Sequence, residues 1–113
     1  MKALICGGRK FNDMKLASST LDRLRTELGF TNIIQGGATG ADTIAMLWAN
    51  SRGVPNVTYP AQWNIHGKKA GPMRNTQMLE EGKPDVVIAF PGDKGTRDMV
   101  SKAEAAGVKV ILV

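Results

Sequence analysis

At 113 residues, 42% hydrophobic and 22% charged, the chain has the size and balance of one soluble globular domain, residues 1–113, with a full core. Its single cysteine rules out an internal disulfide, and no apolar run approaches the roughly 18 residues of a membrane span. The net charge of +5 favours anionic partners, but there is no long Lys/Arg tail of the kind that coats nucleic acid non-specifically.

Lys2-Ala-Leu-Ile-Cys6 reads as a short buried strand, broken by Gly7-Gly8-Arg9. It lacks the apolar stretch and cleavage site of a secretory signal. With Cys6 read as a buried thiol, a reducing, cytoplasmic setting fits. Asn12 or Asp13 can cap a helix carrying Met14, Ala17, Leu21, Leu24 and Leu28 at helical spacing, and Gly29 stops it. Asn32 to Gln35 is a second strand, followed by Gly36-Gly-Ala-Thr-Gly-Ala-Asp42. A second helix runs to about Arg52 with Ile44, Leu47 and Trp48 on one face, and Gly53 ends it.

Val54 to Tyr59 is a third strand, placed at a sheet edge by Pro55. Pro60 to Asn75 reads as a long polar loop, of a length that compact domains keep for function or leave disordered. A third helix is expected from about Pro72 to Glu81 with Met73, Met78 and Leu79 apolar. The fourth strand is Asp85 to Phe90. The fourth helix is expected from about Arg97 to Ala106 with Met99, Val100, Ala103 and Ala106 inward, and Val108 to Val113 is the last strand. Strands alternating with helices predict a Rossmann-like α/β three-layer sandwich: a five-stranded parallel sheet, order 3-2-1-4-5, with helices on both faces.

In such a sheet ligands bind beyond the carboxyl ends of the strands, where the order reverses. Here that point lies between the first and fourth strands. The turns Gly7-Gly8-Arg9 and Pro91 to Thr96 meet there, with Gly36 to Asp42 as the next neighbour. Glycines let backbone approach a ligand, and the unpaired N–H groups of a helix start face a phosphate. Arg9, Lys10, Lys68, Lys69, Arg74, Lys94 and Arg97 lie in or beside these glycine loops, which favours a phosphate-bearing ligand.

Gly7-Gly8-Arg9-x-Phe11, Gly36-Gly37-Ala38-x-Gly40-Ala41-Asp42, Tyr59-Pro60-Ala61-x-Trp63, Gly67-Lys68-x-Ala70-Gly71-Pro72-x-Arg74-Asn75 and Pro91-Gly92-x-x-Gly95-Thr96 occur in this order. Together they resemble the YspA-type, YpsA-related members of the SLOG superfamily. The resemblance covers almost the whole chain. It implies a Rossmann-like fold and a nucleotide or nucleotide-derived ligand, in a sensor or as part of a nucleotide-signalling or phage-conflict system. It also implies a homodimer or larger homo-oligomer. The superfamily includes the LOG-type phosphoribohydrolases, which cut the bond between a base and ribose 5′-phosphate, and the DNA-processing protein DprA. The LOG hallmark is Pro-Gly-Gly-x-Gly-Thr-x-x-Glu with an upstream Arg-Lys pair. Pro91, Gly92, Gly95 and Thr96 match it, and Arg74 takes the arginine's place. Asp93 replaces a glycine, Asn75 the lysine and Met99 the glutamate.

Each candidate also has a purely structural reading. Thr96 and the Gly92–Thr96 turn, with Lys94, would bind phosphate, and Thr96 would also serve as a helix cap. Arg74 offers a fork to a phosphate or ribose oxygen from a helix start, where the dipole disfavours a cation. Asp42 fits ribose binding or sugar chemistry as well as a capping box with Thr39. Arg9 follows the turn nearest the crevice. Trp63 fits a base platform or a loop anchor, and Trp48 fits core. Gly36, Gly37, Thr39 and Gly40 are further ligand contacts, with Lys68 and Asn75 also expected to bind the ligand.

Were the chain a phosphoribohydrolase, Asp42 or Asp98 would supply the acid. Asp98, one position before Met99, points about 100° away from the family's glutamate on a helix. His66 has no partners for a metal site, and nothing implies a cofactor. Binding of single-stranded DNA is the remaining alternative, with only six aromatic residues and no stacking array to support it.

Overall fold

A computed structural model describes residues 1–113. Its five strands are β1 (Lys2–Cys6), β2 (Asn32–Gln35), β3 (Asn56–Thr58), β4 (Val86–Ala89) and β5 (Lys109–Leu112), all parallel in the order β3-β2-β1-β4-β5. The order and direction are those the alternation predicts. β1 and β4 are covered on both faces, so they read as unbroken apolar runs rather than alternating ones.

The pleat sends successive side chains to opposite faces and so makes two cores. On one face α1 (Met14–Leu28) and α2 (Ala41–Ser51) bring Leu21, Leu24, Ile44 and Trp48 to Ala3, Ile5, Ile33 and Ile88. On the other, α4 (Ala70–Gly82) and α5 (Lys94–Ala105) bring Met78, Met99 and Ala103 to Leu4, Cys6, Ile34, Val87 and Ala89. Helices therefore lie on both faces. Asp13, not Asn12, caps α1: its Oδ1 accepts the Leu16 N–H at 3.0 Å. Gly29 closes that helix in the left-handed conformation with φ +75°.

Several sequence expectations are corrected. The expected loop from Pro60 to Asn75 contains a short helix, α3 (Trp63–His66), and a 3₁₀ turn (Gly67–Lys69) that runs straight into α4. Pro72 is the third residue of α4, within the first turn, where the missing N–H is harmless. α5 begins at Lys94 rather than near Arg97, so Gly95 and Thr96 are helical. β3 keeps only three of the six expected residues, at an edge as Pro55 requires. Met14, Leu47, Met73 and Ala106 face solvent. In α2 the buried stripe is Ala41, Ile44, Ala45, Trp48 and Ala49, a complete helical face that leaves Leu47 on the far side.

Candidate functional site

The loops leaving β1, β2 and β4 meet at the carboxyl edge of the sheet, where the strand order reverses between β1 and β4. Backbone bonds knit them. The Gly8 N–H donates to the Pro91 carbonyl at 2.8 Å, and the Gly8 carbonyl accepts from the Phe11 N–H at 3.2 Å and the Ala41 N–H at 3.1 Å. These contacts leave no room for side chains. A Cβ on Gly7 would lie 2.6 Å from the Ala41 Cβ and 2.9 Å from the Phe90 Cβ. Gly40 has φ +79°, and a Cβ there would overlap the carbonyls of Gly8 and Arg9.

The turn after β4 is open. Gly92, Asp93, Lys94 and Gly95 are exposed. The first helical backbone bond of α5 is from the Arg97 N–H to the Asp93 carbonyl at 3.0 Å, so the N–H groups of Lys94, Gly95 and Thr96 have no acceptor in the chain. Asp93 holds the cap position without a side-chain bond. Thr96 is therefore not the cap. It is the third residue of the helix, within the first turn, with its Oγ1 packed against Gly92. Free N–H groups, a hydroxyl and the exposed cations Lys94 and Arg97 make a place where an anion is favoured.

The turn after β2 is partly closed on itself: side chains take the N–H groups of Gly37 and Ala38, while those of Thr39 and Gly40 have no acceptor in the chain. Gln35 is fully buried, donates to the Thr58 Oγ1 at 2.7 Å and accepts the Gly37 N–H at 2.6 Å. Asp42, 7% exposed, accepts the Ala38 N–H at 3.2 Å. Arg74 lies across Gly36, donating through Nη1 to the Gly36 carbonyl at 2.6 Å. Its Nε donates to Asn75 Oδ1 at 3.1 Å. The buried Asn75 in turn donates to the Gly95 carbonyl at 3.2 Å and to Asp98 Oδ2 at 3.0 Å. Arg74 and Asn75 thus tie the β2 turn, α4 and the start of α5 together. The Thr39–Asp42 capping box does not form. Gly40 takes the cap position, Thr39 Oγ1 reaches the Arg9 carbonyl at 3.4 Å, and Asp42 turns back to Ala38.

Three groups share one electrostatic pocket beneath these turns. Burial raises the Asp42 pKa above 3.8, opposed by the backbone N–H of Ala38 and by Arg74. Burial lowers the Arg74 pKa, opposed by Asp42. Cys6, at the end of β1, is pushed up to about 12 by burial and by the Asp42 charge, which makes it an inert thiol. Asp98 stands apart from this pocket. It is held by Asn75 and by Lys102 at 3.0 Å.

On the β1 side, the exposed Arg9 guanidinium lies over the Trp63 ring, 5.0 Å from its centroid. Lys68 is exposed on the 3₁₀ turn. On the other flank of the Pro91–Gly92 turn, a groove of about 330 Å³ runs between α5 and the ends of β4 and β5, lined by Thr96, Arg97, Val100, Ser101, Leu112 and Val113 among others. The crevice therefore gathers Gly7, Gly8, Arg9, Gly36, Gly40, Asp42, Arg74 and the α5 start, with Trp63 at its rim. It leaves Asp98 and Asn75 bound within the fold. No three His, Cys, Asp or Glu side chains converge as a metal site. Gln35 is the residue that sequence reasoning missed. A glutamine ending an otherwise apolar buried strand was the available signal.

This arrangement defines a Rossmann-like α/β protein whose loops converge at the topological switch point. The YAcAr family, described as the YspA, cpYpsA-related SLOG family, matches residues 1–66. The chain is 41% identical over 120 residues to the Gene 61 protein of Mycobacterium phage D29, covering 97% of this chain and 94% of that protein. The chain belongs to the YspA, cpYpsA-related SLOG family. Its fold is similar to that of Acinetobacter baumannii MurG, with a TM-score of 0.63 at 11% identity, covering 98% of this chain and 34% of the MurG chain. At that identity the likeness speaks for the fold alone. No helix is long and apolar enough to cross a membrane.

Proposed function

We propose that this protein binds a nucleotide or nucleotide-derived ligand at the carboxyl edge of its sheet, with a phosphate on the first turn of α5. The observation that carries the reading is the set of unacceptored N–H groups at Lys94, Gly95 and Thr96, standing at the point where the strand order reverses. Arg9, Lys94 and Arg97 supply charge. Membership of a SLOG family supports a nucleotide-related ligand, and similarity to a phage protein fits a role in phage conflict or nucleotide signalling. The test is a thermal melt with mono- and dinucleotides. A ligand at ~100 times its dissociation constant adds about 2.7 kcal/mol of stability and raises the midpoint accordingly. A melt unmoved by every nucleotide rejects the reading.

One observation favours a second reading, N-glycosidic phosphoribohydrolase activity. Asp42 is a buried carboxyl with a raised pKa, as a general acid requires. Against it, Met99 is fully buried where a hydrolase of the related LOG type has its glutamate, and Asp98 is engaged by Asn75 and Lys102. Release of free adenine from AMP, lost in Asp42→Asn, would establish the activity. No release at long incubation would leave binding as the function.

A further inference from the structure

The molecule contains two tryptophan–arginine stacks, and they differ in kind. Trp48 is buried, its Nε1–H donates to Asp22 at 2.9 Å, and its partner Arg52 is held by the same carboxylate at 2.8 Å. Every polar group in that stack has a place, so it is a structural anchor. Trp63 is 45% exposed and its indole N–H has no acceptor in the chain. Arg9 takes part in none of the three ion pairs and donates no side-chain hydrogen bond, so the Trp63 ring is its side-chain partner. Between Thr43 and Leu79 the chain has no acidic residue, so the segment carrying Trp63 offers Arg9 no carboxylate.

The backbone on both sides of this stack is fixed. The Arg9 carbonyl packs on Gly40 and receives Thr39 Oγ1 at 3.4 Å. The Trp63 ring edge lies against Gly71, where an added Cβ would be 3.3 Å from Cη2. What stays free is the long Arg9 side chain and a face of the indole. An aromatic ring of this size left half in water by the fold alone is unfavourable, since its apolar surface gains by burial.

We propose that Trp63 and Arg9 form a clamp for a nucleobase: the base enters between them, stacked on the indole with the guanidinium on its other face. This deepens the proposed nucleotide binding and rests on it. It names the ligand as one that carries a planar base, rather than a bare sugar phosphate. Inserting a base needs roughly 3.5 Å of extra separation, which Arg9 supplies by moving its unpaired side chain. Stacking tolerates any base, because each has a π face, and the guanidinium adds a cation–π contribution.

The experiment titrates the full chain with AMP and with ribose 5-phosphate, reading heat and tryptophan emission together. Only two tryptophans are present, and Trp48 is buried and hydrogen-bonded, so a change in emission reports Trp63. AMP is expected to bind about tenfold more tightly than ribose 5-phosphate, the fold-change of one base stack, and to quench the emission. Trp63→Ala is expected to bring AMP to the affinity of ribose 5-phosphate, and Trp63→Phe to keep part of the difference with no quench. Should Trp63→Ala unfold, the wild-type quench and Trp63→Phe still decide. Equal binding of the two ligands by the wild type overturns the clamp and leaves phosphate binding standing. Loss of the AMP preference in Ser101→Trp, which fills the groove on the opposite flank, with Trp63→Ala unchanged, also overturns it. Binding of neither ligand removes both the clamp and the reading beneath it.

Discussion

The glycine turns after β2 and β4 look alike in sequence and are bonded differently. In the β2 turn, the N–H groups of Gly37 and Ala38 are taken by Gln35 and Asp42, and the Gly36 carbonyl by Arg74. In the β4 turn, the N–H groups of Lys94, Gly95 and Thr96 have no acceptor in the chain. A glycine run at a sheet edge marks close backbone approach, and what approaches depends on which N–H groups the fold has already used. The first turn is a latch between loops. The second has no N–H taken by a side chain, whereas in the first the side chains of Gln35 and Asp42 have taken two and Thr39 and Gly40 keep theirs without an acceptor.

One methyl group added to each turn separates the two most sharply. Gly40→Ala forces a β-carbon against the Gly8 and Arg9 carbonyls at φ +79°. The expected loss is on the order of 3 kcal/mol in urea unfolding, from strain and overpacking together. Gly95→Ala meets nothing within 4 Å, in the first turn of a helix. Its stability is expected to hold or to rise by about 0.5 kcal/mol, because alanine restricts the unfolded chain. Similar losses in the two variants would mean that the turns are equivalent.

Arg74→Ala comes next. It removes the donor to the Gly36 carbonyl and the Asn75 bond, so it is expected to cost about 2 kcal/mol of stability in the absence of any ligand. A variant as stable as the wild type would free Arg74 from the latch and return it to ligand binding alone.

The smallest expected effect is a pH dependence. The fold raises the Asp42 pKa above 3.8, so the folded protein holds the proton more strongly than the unfolded chain. The stabilisation from protonated Asp42 is present at low pH and is lost as pH rises from about 3.8 through the folded pKa. Asp42→Asn has no such loss. Its stability relative to the wild type is expected to rise across that window in paired urea melts and then level off. A flat difference would remove the buried carboxylate's pKa from the account.

The sheet order was legible because the local signals agree with one another. Apolar runs at β1, β2 and β4, glycine stops at Gly29, Gly53 and Gly107, and helical stripes such as Ala17, Leu21 and Leu24 all point to one fold. The position of the crevice followed from the order. The helix start hidden in Trp63–His66 was not legible, since it buries no residue and has no side-chain cap. Nor were the partners of Arg74. Gly36 lies 38 residues away in sequence, and nothing local in Pro72-Met-Arg-Asn says that the guanidinium turns onto a carbonyl rather than into solvent. Gln35, buried between Thr58 and Gly37, was visible only as a polar residue out of place.

The most direct test follows individual backbone amides by ¹⁵N-resolved NMR while AMP is added. If the open turn holds the phosphate, the N–H signals of Lys94, Gly95 and Thr96 shift with saturation, and those of Gly37 and Ala38, already bonded, stay near their ligand-free positions. Shifts centred on Gly37 and Ala38, with the first turn of α5 unmoved, would contradict the assignment of latch and ligand site.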